Sequence, residues 1–180
     1  MVRDKAHYDV VVAGAIAHAR TSVWISTANL KDVHVEAPLG TRARAKGRYM
    51  SALELFGDLA KRGVEIRVLH GGEPSGPFRE NLQRRGGAKR AGLELRRCPR
   101  VHLKMIAVDG AFLYLGSANF TGAGLGAKSE VRRNFEAGIA TDDEHMLDEM
   151  QGVFDRIWTG GECQRCSIRR LCPRPLDLAR

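Results

Sequence analysis

The sequence predicts an α/β protein in which a mixed β-sheet is flanked by helices. Apolar residues recur with helical spacing and with strand spacing in alternating stretches of the chain, and this interleaving is typical of α/β folds. Two of the strand patterns are separated only by Asp109-Gly110, a dipeptide that favours a two-residue turn between antiparallel strands. The sheet is therefore expected to be mixed, because helical crossovers join parallel strands and this hairpin joins antiparallel ones.

The first half of the chain is expected to form two helices and two strands around an irregular loop. Gly63 is expected to end the second helix, because glycine readily adopts the left-handed conformation that follows a helix. The spacing predicts a helix at about 5–20, a strand at 21–27, a loop at 28–47, an amphipathic helix at about 48–62 and a strand at 64–69.

The second half is expected to contain a hairpin and to finish on a long amphipathic helix that ends at Gly160-Gly161. The stretch Thr141–Glu144 has the spacing of a capping box, in which two side chains satisfy free backbone N–H groups at a helix start. The spacing predicts a polar helix at about 77–85, a strand at 93–97, hairpin strands at 101–108 and 111–115, a strand at 134–140 and the last helix from 141 onward.

The size and charge of the chain restrict its class. It has 180 residues and a formal net charge of +8. Since a domain takes about 100–200 residues, we expect one domain over residues 1–159 and a Cys/Arg-rich appendage over 160–180. No run approaches the ~18 apolar residues that span a bilayer, and the N-terminus carries acidic residues where a secretory leader is basic and then apolar. We therefore expect a cytoplasmic protein with no integral membrane association.

Basic residues are concentrated in two segments. One contains Arg42, Arg44, Lys46 and Arg48 with no acid among them, and residues 79–100 contain eight Lys and Arg against two Glu, a local excess of six. Such segments attract polyanions, because neutralised phosphates release their counterions. Nucleic acid, an acidic lipid surface and an ordinary solvated surface are all compatible with this charge.

The stretch with the most chemical information covers residues 102–119. On a strand, residues two apart face the same side, so His102 and Lys104 are expected to point together while their neighbours enter the opposite layer. Two potential cations on one face repel each other unless an anion lies between them. Taken alone, Asp109 is explained as the first residue of the hairpin turn, and Gly116-Ser117 as a strand end.

Together these residues resemble the HKD signature of the phospholipase D superfamily. Asn134-Phe135-Glu136 resembles the Asn-x-Glu strand of the same superfamily, and Ser22–Thr27 with Asn29 resembles its opening βαβ unit. The resemblance covers about residues 5–158 and implies a phospholipase D-like αβα sandwich with a catalytic role for the domain over 1–159. The residues that stand at the offsets of the signature are His102, Lys104, Asp109, Gly116, Ser117 and Asn119.

The resemblance implies a phosphodiesterase that works through a covalent phosphohistidine. His102 would attack phosphorus, and a second histidine would protonate the leaving oxygen and then activate water. Lys104 and Asn119 would hold the phosphate oxygens, with Ser117 as a weaker candidate. No metal or other cofactor is needed for catalysis in this scheme, because lysines supply the positive charge.

The chain carries one such motif, although the chemistry needs two histidines. The simplest solution is a homodimer in which two copies of His102 face each other across a two-fold axis, and this resembles the small single-motif endonucleases of the superfamily. By the family pattern Asp109 is more structural than catalytic. Glu136 would orient a histidine, or would be a buried strand acid paired with an arginine. The histidines without a lysine two residues on are His7, His18, His34, His70 and His145.

Three cysteines lie close together in the appendage, at Cys163, Cys166 and Cys172, and Cys98 is the only other one. In a cytosolic protein this pattern favours a metal site over disulfides. Four thiolates suit structural zinc, which is our first expectation, or an iron–sulfur cluster. The spacing also resembles the iron–sulfur staple of some DNA-processing nucleases. Alternatively there is no metal, and Cys98 is a small core residue.

We expect a dimeric, metal-independent nuclease whose substrate is nucleic acid, DNA rather than RNA. The same histidine chemistry permits a phospholipase or phosphatidyltransferase that acts on anionic lipid. A nucleic-acid-binding module that has the fold but not the activity is the third reading, and the intact His102, Lys104 and Asn119 argue against it.

Overall fold

A computed structural model describes residues 1–36, 47 and 49–178. The basic residues Arg42, Arg44, Lys46 and Arg48 lie outside the described residues. In chain order the elements are β1 (Val2–Arg3), helix α1 (His7–Ala15), β2 (Ser22–Thr27), β3 (His34–Glu36), β4 (Tyr49–Ser51), helix α2 (Ala52–Lys61), β5 (Glu65–His70), helix α3 (Gly76–Arg84), β6 (Glu94–Arg97), β7 (Met105–Val108), β8 (Phe112–Gly116), β9 (Ala137–Thr141) and helix α4 (Glu144–Trp158).

Seven of the strands form one mixed sheet in the order β1-β9-β8-β7-β2-β5-β6. Strands β2, β5 and β6 are parallel, whereas the pairs β2–β7, β7–β8, β8–β9 and β1–β9 are antiparallel. The predicted mixed sheet is confirmed. The register pairs Thr27 with His70 and Ser26 with Met105, so the end of β2 meets the end of β5 and the start of β7.

Side-chain alternation divides the sheet into two buried layers. Ile25 of β2 and Ile106 of β7 belong to the core cluster that includes residues of α1, α2 and α3. Met105 and Ala107 belong to the other cluster, which contains Leu147, Phe154 and Trp158 of α4. Three helices therefore cover one face and α4 covers the other, which gives the predicted αβα arrangement. Among the described residues, none of the helices has the length and apolar character needed to cross a bilayer.

Helix α1 is wound as a π-helix and continues as a 3-10 turn over Ile16–His18, within the predicted helical range. The predicted loop at 28–47 contains β3, and the helix predicted from residue 48 begins only at Ala52. The start is set by Ser51 and Glu54, whose side chains form a capping box, and the residues before it are drawn into β4 by pairing with β3.

Two predicted strands begin later than expected, and both differences affect the candidate site. The strand predicted at 101–108 starts at Met105, because the ladder with β2 stops at Ser26. The strand predicted at 134–140 starts at Ala137, and Ala137 is already paired with β1. The predicted capping box at Thr141–Glu144 is wrong as well: Asp143 caps α4 by accepting a hydrogen bond from the Met146 N–H at 2.8 Å.

Candidate active site

One edge of the sheet carries most of the predicted site residues. The carboxyl ends of β2, β5, β6 and β8 meet there with the amino ends of β7 and β9. Residues that follow β8 or precede β7 and β9 are therefore brought together, although they are far apart in sequence. This set comprises His102, Lys104, Ser117, Asn119 and Glu136.

His102 and Lys104 lie in the irregular link before β7, not on the strand as predicted. The alternation is nevertheless kept, since Leu103 packs with Met105 in the layer under α4. Lys104 donates a hydrogen bond from Nζ to the His102 carbonyl oxygen at 2.9 Å. The His102 side chain is exposed and makes no hydrogen bond to another described side chain. An exposed imidazole beside an ammonium group is available to an incoming anion.

Glu136 is held in place by two polar neighbours. Its carboxylate accepts hydrogen bonds from Ser117 Oγ and, at 3.0 Å, from Asn134 Nδ2. Its backbone N–H donates to an Asp4 carboxylate oxygen at 3.2 Å. No arginine pairs with Glu136 in the described part of the chain, so these contacts do not support the alternative of an acid paired with arginine. No hydrogen bond joins Glu136 to the His102 of the same protomer, and its predicted role toward a histidine stays a prediction.

The side-chain amide of Asn119 is oriented by residues at the end of β2. Its Oδ1 accepts a hydrogen bond from the Asn29 backbone N–H at 3.0 Å and lies 3.3 Å from Thr27 Oγ1. A backbone N–H is only a donor, so it must face the amide oxygen and leaves the NH₂ group turned away. Asn119 is therefore held with two donors available for phosphate oxygens.

Sequence reasoning missed the role of Thr27. This fully buried residue accepts a hydrogen bond from the Phe120 N–H at 2.9 Å and donates to the Asn29 carbonyl oxygen at 2.7 Å. It thereby ties the end of β2 to the segment that carries Asn119. A threonine at the end of a strand is too common for the sequence alone to single it out.

Asp109 follows the opposite end of β7 from His102. Since a strand rises about 3.3 Å per residue, the length of β7 separates the two residues. Its carboxylate accepts hydrogen bonds from the backbone N–H groups of Arg20, Thr21 and Ser22 at 2.7 to 3.1 Å. Burial alone would raise the pKa of Asp109, but these hydrogen bonds outweigh it and lower the pKa. Asp109 also holds a left-handed φ of 56° in the hairpin turn. These contacts favour the structural role that the family pattern implies for Asp109 over a catalytic one.

We expect Asp109→Asn to lower the free energy of unfolding by about 1–2 kcal/mol at neutral pH, since it removes the charge from partly exposed hydrogen bonds. Asparagine tolerates the left-handed conformation, so the backbone is preserved. Because the pKa of Asp109 is lowered on folding, its contribution is complete above about pH 4 and declines as the pH falls below that value. Urea unfolding at neutral pH and at about pH 3 measures the difference.

The matched control is Asp142→Asn, since Asp142 is exposed and its side chain accepts no hydrogen bond from another described residue. We expect this variant to unfold like the wild type at both pH values. A loss for Asp109→Asn that is the same at both pH values would contradict the assignment to the ionised carboxylate.

His70 lies at the same sheet edge but is buried. Its Nδ1 is 2.8 Å from the Gly72 carbonyl oxygen, which fixes this nitrogen as the donor. Burial lowers the pKa of His70, and the positive charge of Arg97 adds to the effect. The side chain is thus a neutral, internally bonded histidine.

The four cysteines of the predicted metal site are brought together. Cys98 follows β6, and its thiol lines one cavity with those of Cys163, Cys166 and Cys172. Burial raises the pKa of the Cys98 thiol, and the three neighbouring thiols raise it further. In the described ranges, however, no three His, Cys, Asp or Glu side chains are arranged so that they could already hold a metal ion.

The sandwich and the residues at its edge define a protein of the phospholipase D type. The family described as "Cardiolipin synthase, PLD-like domain" matches residues 12–158, well over half of the chain. The protein therefore belongs to this phospholipase D-like family, whose superfamily consists generally of phosphodiesterases. Among curated proteins, none matches the chain.

Solved structures show the same fold at low sequence identity. Nuc from Salmonella typhimurium, described as a phospholipase D family member, is 19% identical with a TM-score of 0.55, over 84% of this chain and 86% of that chain. NucT from Helicobacter pylori is 16% identical with a TM-score of 0.54, over 83% and 86%. The archaeal chromatin protein TrmBL2, described as binding DNA, is 16% identical with a TM-score of 0.53, over 87% and 50%.

Proposed function

We propose that this protein is a metal-independent nuclease that cleaves phosphodiester bonds in nucleic acid, DNA in preference to RNA, through a phosphohistidine at His102. The observation that carries the proposal is the grouping of His102, Lys104 and Asn119 at one sheet edge, with exposed or oriented donor groups. Family membership supports phosphodiester chemistry, and the remaining steps are argued from the residues of this chain.

In the first step an imidazole nitrogen of His102 attacks phosphorus, and the bond to the leaving oxygen breaks as the phosphorus–nitrogen bond forms. A second histidine gives its proton to the leaving oxygen. In the second step that histidine takes a proton from water, whose oxygen attacks phosphorus and releases His102. Lys104 and the Asn119 amide supply the charge and the hydrogen bonds that the growing negative charge on the phosphate oxygens requires.

The second histidine is supplied, in this proposal, by a second copy of the chain. Four of the other histidines of the protomer are poor candidates: His7 and His70 are buried, His18 bonds to the Gly14 carbonyl oxygen of α1, and His145 belongs to α4 on the other face. The fifth, His34, is exposed on β3, but it lacks the lysine two residues on that accompanies His102. A two-fold axis through the site would place two copies of His102 on one phosphate.

Two exposed apolar side chains beside the site are suited to this contact. Phe135 is 99% exposed and Val131 is 92% exposed. Phe135 directly precedes Glu136, so a contact through it brings two site faces together. Exposed aromatic residues are frequent anchors of protein interfaces, and we propose that Phe135 contacts the second copy.

The distribution of unpaired basic side chains favours nucleic acid over a single lipid headgroup. Two open grooves of about 870 and 1130 Å³ reach the site edge, one at His70 and Arg97 and the other at Lys31 and Thr121. Several exposed cations lining them have no acidic partner in the described part of the chain, and a long polyanion could contact both grooves at once. These cations are Arg79, Lys89 and Arg174 in the first groove and Lys31, Arg84 and Lys128 in the second.

A substrate panel tests the proposed function. We expect the full chain to cleave labelled DNA, single- or double-stranded, in the presence of EDTA, and to cleave RNA more slowly. Phospholipid vesicles and a His102→Asn variant serve as comparisons. Headgroup release from lipid without cleavage of nucleic acid would replace the proposal with a phospholipase, and tight DNA binding without turnover would replace it with a binding module.

A further inference from the structure

The appendage contains a feature that phosphodiester cleavage does not use. Cys163, Cys166 and Cys172 come from the appendage, whereas Cys98 is 65 residues earlier in the chain, and all four thiols line one cavity of about 20 Å³. The fold has thus brought together every cysteine of the protein, including Cys98, which belongs to the domain and not to the appendage. This convergence is an observation that sequence spacing could not supply.

The appendage has little regular secondary structure and few buried side chains to fix its position on the domain. The described part of the appendage, residues 160–178, contains two short 3-10 turns, Arg169–Leu171 and Leu176–Leu178, and no longer helix or strand. Leu176 is its one buried apolar side chain among the described residues, and a bidentate ion pair joins Arg169 to Asp177. Segments too small to bury a core usually depend on a disulfide or a metal ion.

We propose that Cys98, Cys163, Cys166 and Cys172 bind one zinc ion that fastens the appendage to the domain. Four thiolates are a common tetrahedral ligand set for structural zinc. Four thiolates complete the tetrahedral shell of a single ion with no inorganic sulfide or other ligand required. As the thiols stand they do not yet share one centre, and zinc sites are often completed only as the metal binds and the thiols lose their protons.

The charges around the cavity fit such a centre. Four thiolates and one Zn²⁺ carry a net charge of about −2, and Arg97, Arg100 and Arg169 line the same cavity. Arg97 and Arg169 are already paired with Glu73 and Asp177. Arg100 is exposed and has no acidic partner within 4 Å among the described residues, so its charge is available to offset the excess negative charge of the centre.

A zinc ion at this position would also restrain the segment that carries His102. The Cys98 N–H donates to the His70 carbonyl oxygen at 3.0 Å, and its own carbonyl accepts from the Val101 N–H at 2.9 Å. The turn that ends at Val101 therefore lies between the proposed ion and His102. The centre is structural in this proposal, since the reaction proposed above uses no metal.

The wild-type chain, purified under reducing conditions without added metal, provides the first test. We expect elemental analysis to give about one zinc per chain with no iron and no inorganic sulfide. After exchange for cobalt, we expect the visible absorption of a tetrahedral cobalt–thiolate centre. A metal-free protein with four titratable thiols, or with two disulfides, would overturn the proposal, and iron with stoichiometric sulfide would overturn the single-ion assignment.

Two variants test the ligand set. We expect Cys98→Ser to lose zinc and to expose the arginines of the appendage to trypsin, while Ser167→Ala, adjacent to Cys166, keeps both zinc and resistance. Full zinc content in Cys98→Ser would remove Cys98 from the site. If Cys98→Ser does not fold, cobalt absorption in the wild type still decides between thiolate coordination and none.

Discussion

Replacing His102 with asparagine is expected to reduce cleavage of a labelled DNA substrate by at least about 10³-fold, because an amide cannot form the phosphohistidine. The imidazole is exposed and has no hydrogen-bond partner among the described side chains, so the free energy of unfolding should stay within about 0.5 kcal/mol of the wild type. Single-turnover kinetics and urea unfolding measure the two quantities separately.

The matched control is His145→Asn, which replaces another exposed histidine, on α4. We expect this variant to cleave at the wild-type rate. A His102→Asn protein that keeps its activity would overturn the assignment of the nucleophile, whichever substrate is used.

Mixed dimers extend the same experiment to the shared site. If each phosphate requires one His102 from each copy, a dimer with one wild-type and one His102→Asn subunit should be as inactive as a dimer in which both subunits carry His102→Asn. Tagging the two subunits differently allows the mixed dimer to be isolated and assayed. Half of the wild-type activity in this species would show that each subunit works alone.

The second large effect is expected for Phe135→Glu. A carboxylate at the centre of a subunit contact would be buried against its own two-fold copy, and an unpaired buried charge is strongly unfavourable. We expect the dimer dissociation constant to rise at least about 10²-fold. Activity should fall in parallel at low protein concentration and recover as the concentration rises, because the catalytic groups are unchanged.

Sedimentation analysis measures the dimer dissociation constant of Phe135→Glu, and activity assays across a concentration series measure whether cleavage recovers as the dimer forms. Leu178→Glu is the control, since Leu178 is also an exposed apolar residue, at 70%, but belongs to the appendage. An active Phe135→Glu monomer would overturn the shared site. A variant that remains dimeric but no longer binds DNA would instead show that Phe135 contacts the substrate.

The types and order of the predicted elements follow from local patterns, while several of their boundaries depend on tertiary contacts. The hairpin at Asp109-Gly110 was predictable because the turn residues themselves require the geometry. The start of β7 was not predictable from the sequence, because it depends on the pairing with β2, in which Met105 is the first residue that has a partner. The strand β3 was missed for the same reason, since it exists through pairing with β4.

The candidate site shows the same division. The spacing of His102, Lys104 and Asn119 was sufficient to nominate them, because the signature combines several residue types at fixed offsets. The supports of the site were hidden, since Thr27 and Asn29 contact Asn119 across about 90 positions of the chain. Asp109 belongs to the same signature, which already implied a structural role, and its contacts with residues 20–22 show what it stabilises at the far end of the hairpin.

By itself, the sequence determined the αβα class, the family signature and an unusual group of cysteines, because these features depend on the period of the backbone and on residue type. The tertiary structure decided which distant residues share one sheet edge and that Cys98 meets the appendage. The physical reason is that strand order and register are set by the burial of two apolar layers at once. No short stretch of residues contains that information.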